Sequence, residues 1–383
     1  MSKVISGARF ATQEEFLQGC VASKLATGKF AGCGIPIWSS RDIMYTDNSE
    51  SHALAVGSTG TGKSSEGAIP AIISMLRCGE SVIATDIKSE LYAATSGIAK
   101  EMGYKIVVLN FSDPLRSHCW NPLSEPYQIY KGGTIKDVDE AALLVYDIAY
   151  GICSDPKAKD RYWDLSSVEY TNGLIMAAFE DAEESEINMR SIAYMSSIGE
   201  SMQGNDTVLK KYFSKKDKNS IAYTSVVGTI NVAPNTRSCI ISTDRRAKRI
   251  FLASQGLSKM LSGMDFSFKE LSKEKTIVYI ICPGGSSAFS PIVSCFVSQA
   301  YNMLVHYAQE EPDNRLARRF NFVLDEFGNL VLNDFPQRIS LARGYNIRFL
   351  LFIQNLSQLQ SKYSSDEMET IFSNCLTKIY YNA

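Results

Sequence analysis

Residues 52–73 read HALAVGSTGTGKSSEGAIPAII. A short apolar run enters a glycine-rich turn, which closes on a Lys-Ser pair and opens into a predicted helix. This stretch constrains the fold more than any other. Residues 57–64 match G-x-x-x-x-G-K-[ST], in the strand-to-helix setting where that pattern has mechanical meaning. Glycines let main-chain N–H groups approach phosphate oxygens, and the helix amino terminus adds partial positive charge. Gly57, Ser58, Thr59, Gly60, Thr61, Gly62, Lys63, Ser64 and Ser65 are therefore the candidate phosphate loop. Lys63 would reach the β- and γ-phosphates, and the Ser64 hydroxyl would help to hold Mg²⁺. The competing reading is a glycine-rich strand–helix turn with no ligand.

A Mg²⁺–nucleotide site needs an acidic partner at the end of another strand. The run FNFVLDEF supplies Asp325 and Glu326 behind a mainly apolar strand. Asp325 would orient water on the metal, and Glu326 would act as general base toward the attacking water. Taken alone, the pair could simply cap a following helix. Gln354 ends the run IRFLLFIQ, where an amide could sense the γ-phosphate, position water or merely bond neighbouring backbone. Arg343 precedes that run, and an arginine at a subunit boundary could stabilise charge on a neighbour's nucleotide; otherwise it is a surface residue. The base-reading pattern N-K-x-D is absent, which favours ATP over GTP.

Further β-rich runs cover 81–86, 105–111, 276–282, 320–326, 347–354 and 377–382. Helical spacing lies between most of them, which argues for an α/β fold with a mostly parallel, doubly wound sheet. From about 124 to 270 strand pattern fades, and 137–152 and 162–182 have helical spacing. The expected division is a discontinuous nucleotide-binding domain, 1–123 and 271–383, with an all-α insertion at 124–270.

Composition narrows the partners. The 383 residues carry a net charge of −2, so any nucleic-acid contact must use local patches or an assembled pore. The nine cysteines form no Cys-x-x-Cys pair and only three histidines are present, which argues against zinc and fits reduced thiols. No apolar run approaches membrane-spanning length, so the chain as given reads as soluble. The basic runs KKYFSKKDK (210–218) and DRRAKR (244–249) are candidate phosphate-backbone contacts, with Tyr212 and Phe213 available for base stacking. Solvated helix faces are the plainer reading. Trp163 reads as core of the helical insertion rather than a stacking platform.

Together these blocks resemble the TraG/TraD-like coupling proteins of type IV secretion and bacterial conjugation. The resemblance runs in order through GARFAT (7–12), GIPIW (34–38), HALAVGSTGTGKS, residues 84–111, CWNPL (119–123), VLDEFGNL (323–330), residues 342–359 and SNCLTKIYYN (373–382). Residues 86–90, Asp-Ile-Lys-Ser-Glu, lack the family's usual Pro and Gly, so Asp86 either shapes the phosphate site or caps a helix. The resemblance implies a RecA-like P-loop ATPase using ATP and Mg²⁺, with nucleotide between subunits of a homo-hexamer. It also implies single-stranded DNA with a relaxase, or effector proteins, as cargo, and secretion-channel components as partners. The family's membrane attachment, at the cytoplasmic face, uses amino-terminal segments that this chain lacks, as expected of a cytosolic fragment. An FtsK- or HerA-like DNA translocase and a docking receptor with slow or no turnover are the rival readings.

Overall fold

The computed structural model describes residues 12–26, 30–155, 158–283 and 287–381. The stretch GARFAT before Thr12, the 284–286 part of the glycine- and serine-rich linker, and Asn382 lie outside the described residues.

The runs read as strands build one seven-stranded sheet. Its members are β4 (His52–Gly57), β5 (Ser81–Asp86), β6 (Lys105–Asn110), β9 (Thr276–Ile281), β10 (Phe320–Leu324), β11 (Ile347–Ile353) and β12 (Cys375–Tyr381). The order is β12-β4-β11-β10-β5-β9-β6, and every pairing is parallel. β5, β9, β10 and β11 are buried at every position, the cause of their unbroken apolar runs. The edge strands β6 and β12 are only half-buried.

Side chains alternate between the two faces of the sheet. One face presents Ala53, Ala55, Val82, Ala84, Val323, Leu350 and Phe352, and packs with Ala71, Ile72, Met75 and Leu76 of the helix Ile69–Cys78. The other presents Leu54, Ile83, Val278, Phe322, Phe349 and Leu351. Its core continues through the helix Ser290–Gln309 into the long helices Ile135–Cys153 and Tyr162–Asp181.

Between β6 and β9 the described chain is helical, apart from a short hairpin of β7 (Met202–Gln203) and β8 (Asp206–Thr207). Residues 119–123 form the joint. Trp120 is fully buried edge-on against Phe296, and its indole N–H donates to Gln299 at 2.8 Å. The Asn121 amide donates to the Ile187 carbonyl at 2.7 Å. In the helical part, fully buried Lys248 meets Asp244 at 2.5 Å. Asp244 also accepts hydroxyl bonds from Thr171 and Ser196. Fully satisfied, such a pair is tolerated in a core; half of it is not.

One feature was not read from the sequence. A three-stranded antiparallel sheet of β1 (Val21–Lys24), β2 (Ile35–Ser39) and β3 (Ile43–Asp47) precedes β4. Buried Arg348 of β11 ties it on, bonding Glu80 at 3.0 Å, Asn321 at 2.8 Å and the Ser49 carbonyl at 3.2 Å.

Candidate active site

Parallel strands bring their carboxyl ends to one edge, and the site is built there. β4 ends on Gly57 and the chain turns through 58–62. Gly60 and Gly62 both have φ of 88°, a left-handed conformation that opposes most side chains. Ser58, Thr59 and Gly60 form the exposed crest, with the Thr61 hydroxyl donating to the Ser58 carbonyl at 2.9 Å. Residues Lys63–Ala68 form a π-helical turn before the α-helix Ile69–Cys78. Such turns are rare and concentrate at functional sites. Lys63 is buried under the loop, its ammonium donating to the carbonyls of Gly57 and, at 2.8 Å, Ser58. Ser64 is half-buried beside it, and Ser65 is exposed, with its hydroxyl 3.4 Å from the Gly62 carbonyl.

The acidic pair follows β10, separated from the phosphate-loop strand β4 only by β11. Burial pushes the Asp325 carboxyl up to about 6; Glu326 and Asp86 add to the rise, and Lys63 opposes it. Asp86 ends β5 and accepts the Tyr92 N–H at 2.9 Å. Burial raises its carboxyl too, against main-chain N–H groups at the start of the helix Glu90–Glu101. Asp86 thus accepts main-chain N–H at the start of that helix and adds negative charge beside Asp325.

Glu326 adopts φ of 54°, uncommon outside glycine, and its N–H bonds the Asp325 carboxylate at 3.1 Å. Gln354 extends from the end of β11 and places its amide nitrogen 3.0 Å from each Glu326 oxygen. The main-chain N–H of Gln354 bonds the side-chain oxygen of Gln358 at 2.9 Å. The sequence reading missed Gln358; its spacing four residues after Gln354 was the available signal.

Lys63, Asp325, Glu326 and Gln354 therefore share one edge. Arg343 does not. It caps the helix Phe335–Ala342 ahead of β11 and is exposed at the amino-terminal edge. The seven residues of β11 put it about 20 Å from its own chain's site.

A cavity of about 1070 Å³ opens beside this edge, between the sheet and the helical segment. Asp86, Asp325, Glu326 and Gln358 line one wall, and Tyr150, Trp163 and Arg246 the other. No residue of 57–65 lines it. Trp163 is half-buried there, not sealed in core.

The proposed polymer contacts need correction. Phe213 is fully buried and cannot stack on a base. Tyr212 donates to Asp181 at 2.5 Å, and Lys216 pairs with Glu180 and Asp181. Lys210 pairs with Asp206, and Lys248 of the second run is the buried partner of Asp244. Lys210, Lys216 and Lys248 thus have acidic partners, while Arg246 and Arg249 are exposed on the helix Pro234–Ala253.

The family described as Type IV secretory system conjugative DNA transfer matches residues 3–383. The chain belongs to this family. Among conjugative DNA transfer proteins, it is 26% identical over 376 residues to the conjugal transfer protein TraG of Escherichia coli, covering 92% of this chain and 56% of TraG. It is 24% identical over 370 residues to the protein VirD4 of Rhizobium rhizogenes, covering 91% and 49%. It thus spans about half the length of these curated relatives. The bacterial conjugative coupling protein TrwBdeltaN70 has the same fold, with a TM-score of 0.64 at 15% identity over 99% of this chain and 81% of that one. The plasmid coupling protein TrwB in complex with ADP and Mg²⁺ aligns with a TM-score of 0.60 at 16% identity, covering 85% and 69%. The fold is a RecA-like α/β P-loop NTPase. Among the described residues, no helix is long and apolar enough to cross a membrane.

Proposed function

We propose that this chain is the ATP-hydrolysing motor of a conjugative coupling protein, moving DNA or effector proteins into a type IV secretion channel. One observation carries the reading. Lys63, Asp325, Glu326 and Gln354 come from three strands or their following loops and meet at one carboxyl-terminal edge.

The residues fit Mg²⁺ with ATP. Asp325 is half-buried, raised and flanked by two further carboxylates, so it gains from a cation. Among the described residues, no group of three or more acidic, histidine or cysteine side chains could hold a metal alone. That suits Mg²⁺, which keeps several waters and takes one or two carboxylates with substrate phosphates. Bound Mg²⁺ would neutralise charge developing on the phosphates. Ser64 and Asp325 would hold it. The main-chain N–H groups of 57–65 and Lys63 would cradle the phosphates, and Lys63 would exchange its two loop carbonyls for phosphate oxygens. Glu326 would accept the proton of the attacking water. Gln354 would report the γ-phosphate to β11.

Arg343 would act in trans, on the nucleotide of the next subunit in a homo-hexameric ring. Its place at the opposite edge supports that role over one in its own site. Residues 124–270 would form an insertion, helical apart from the β7–β8 hairpin, in a motor domain made of 1–123 and 271–383. A relaxase-bound single strand would be the cargo in the DNA case, at the cytoplasmic face of a bacterial membrane.

The test is ATP hydrolysis by purified protein across a concentration range, with and without single-stranded DNA. Hydrolysis should rise steeply with protein and DNA. Lys63→Ala and Glu326→Gln should each lower turnover at least about a hundredfold. Turnover in either variant at the wild-type rate would show that hydrolysis does not use this edge.

A further inference from the structure

Gln358 has no place in the chemistry so far, yet it touches the part that matters. Its side-chain oxygen accepts the main-chain N–H of Gln354 at 2.9 Å. The Gln354 amide nitrogen in turn spans both oxygens of Glu326 at 3.0 Å. A neighbouring glycine makes this possible. A Cβ on Gly328 would lie 2.5 Å from the Gln358 oxygen and 2.6 Å from its side-chain carbonyl carbon. The amide therefore lies flat on Gly328, in the loop that carries the acidic pair.

Two observations say that this arrangement holds Glu326 at rest. Glu326 and Gln358 line the large cavity, whereas no residue of 57–65 does. Glu326 also sits at φ of 54°, a conformation kept by its surroundings and not by its own preference. A general base must be within hydrogen-bond reach of the proton it takes, and a carboxylate drawn toward β11 by an amide is not free to adjust.

We propose that Gln358 is a positioning residue for hydrolysis: it fixes Gln354 so that the amide latches Glu326 in a resting orientation. The latch opens when the cavity wall carrying Gln358 moves. Gln358 acts on Glu326 through Gln354. This rests on the reading of Glu326 as the general base.

The experiment compares turnover without nucleic acid in four variants, each checked for a wild-type melting temperature. Gln358→Met keeps the shape and removes the acceptor. Basal kcat should rise about two- to tenfold, the factor corresponding to one net hydrogen bond, with the KM for ATP unchanged. Gly328→Ala should give the same rise independently, because its Cβ displaces the Gln358 amide and the position is not a positive-φ glycine. Gln358→Glu keeps an oxygen acceptor and should restore the wild-type rate. Unchanged or lowered kcat in both Gln358→Met and Gly328→Ala overturns the latch, as does a rise that Gln358→Glu shares. Glu326→Gln separates the two ideas. Full turnover there removes the base and the latch together; lost turnover there, with Gln358→Met unchanged, removes the latch alone.

Discussion

Replacing Asp325 by Asn should stabilise the nucleotide-free protein while removing its turnover. The carboxyl is pushed up to about 6 from an ordinary 3.8, first by burial and then by Glu326 and Asp86. A raised acid binds its proton more tightly in the folded chain than in the unfolded one. Its contribution to stability is therefore fully present below the unfolded value and is lost as pH rises through the folded one. The gap of about two units corresponds to a penalty of about 3 kcal/mol at pH 7.5, roughly half that at pH 5, and almost none below pH 4. Asn removes the charge yet keeps an oxygen for the Glu326 N–H, which bonds Asp325 at 3.1 Å. Urea denaturation of both proteins, with chelator and without nucleotide, should show Asp325→Asn more stable by about 3 kcal/mol at pH 7.5. The advantage should shrink at pH 5. Mg²⁺ with ATP should narrow it at pH 7.5, because a cation relieves only the wild-type carboxylate. A variant no more stable than wild type at pH 7.5, or an advantage indifferent to pH, would refute the account of Asp325 as a charge awaiting a cation.

Lys248→Met should leave Asp244 charged and buried without its 2.5 Å partner, at a cost of about 3–5 kcal/mol seen in thermal melting. Adding Asp244→Leu should return most of that loss, since a buried pair is worth little against apolar residues of similar volume. Arg343→Ala should keep nucleotide affinity and lose turnover about a thousandfold or more, the effect of an arginine supplied to a phosphoryl transfer. Mixing Arg343→Ala with Lys63→Ala subunits should recover part of the activity, since a site can then take an intact loop from one chain and an intact arginine from the next; no recovery would place the action of Arg343 within its own chain.

The central strands and most of the residues at the candidate edge were legible for one main reason. A parallel strand covered on both faces must be apolar throughout, so each run stood out and the polar residue ending it marked the edge. Asp325, Glu326 and Gln354 were read that way, and Lys63 from the glycine-rich pattern that follows β4. The antiparallel sheet of β1, β2 and β3 gave no such signal. Its strands are four or five residues long, only partly buried, and irregular in register between Pro36 and Trp38. Part of the basic runs was misread because charge is neutralised across space: Glu180 and Asp181, which hold Lys216, belong to the helix Tyr162–Asp181. Arg343 and Gln354 look close in sequence, yet an extended strand carries the chain across the whole sheet between them.

That separation gives β11 its mechanical interest. Fully buried between β4 and β10, it cannot slide without disturbing the strand that feeds the phosphate loop and the strand that feeds the acidic pair. Its amino end is tied to β4 by His52. The Phe349 N–H donates to Nδ1 of that ring at 2.9 Å, so Nε2 carries the hydrogen and donates to the Ile339 carbonyl at 2.8 Å. Burial lowers the ring to about 4, so it stays neutral and the tie persists across the physiological range. Ile339 belongs to the helix capped by Arg343, and Arg338 of the same helix grips Asp147 of the helix Ile135–Cys153 at 2.5 Å. In the proposed ring, force on Arg343 from a neighbour's phosphate would enter β4 and β11 together at their amino ends. Both strands would deliver it at their carboxyl ends, to the loop holding Lys63 and to the amide restraining Glu326. Coupling between successive sites then needs no long pathway of side chains, only two adjacent strands stiff enough to move as one.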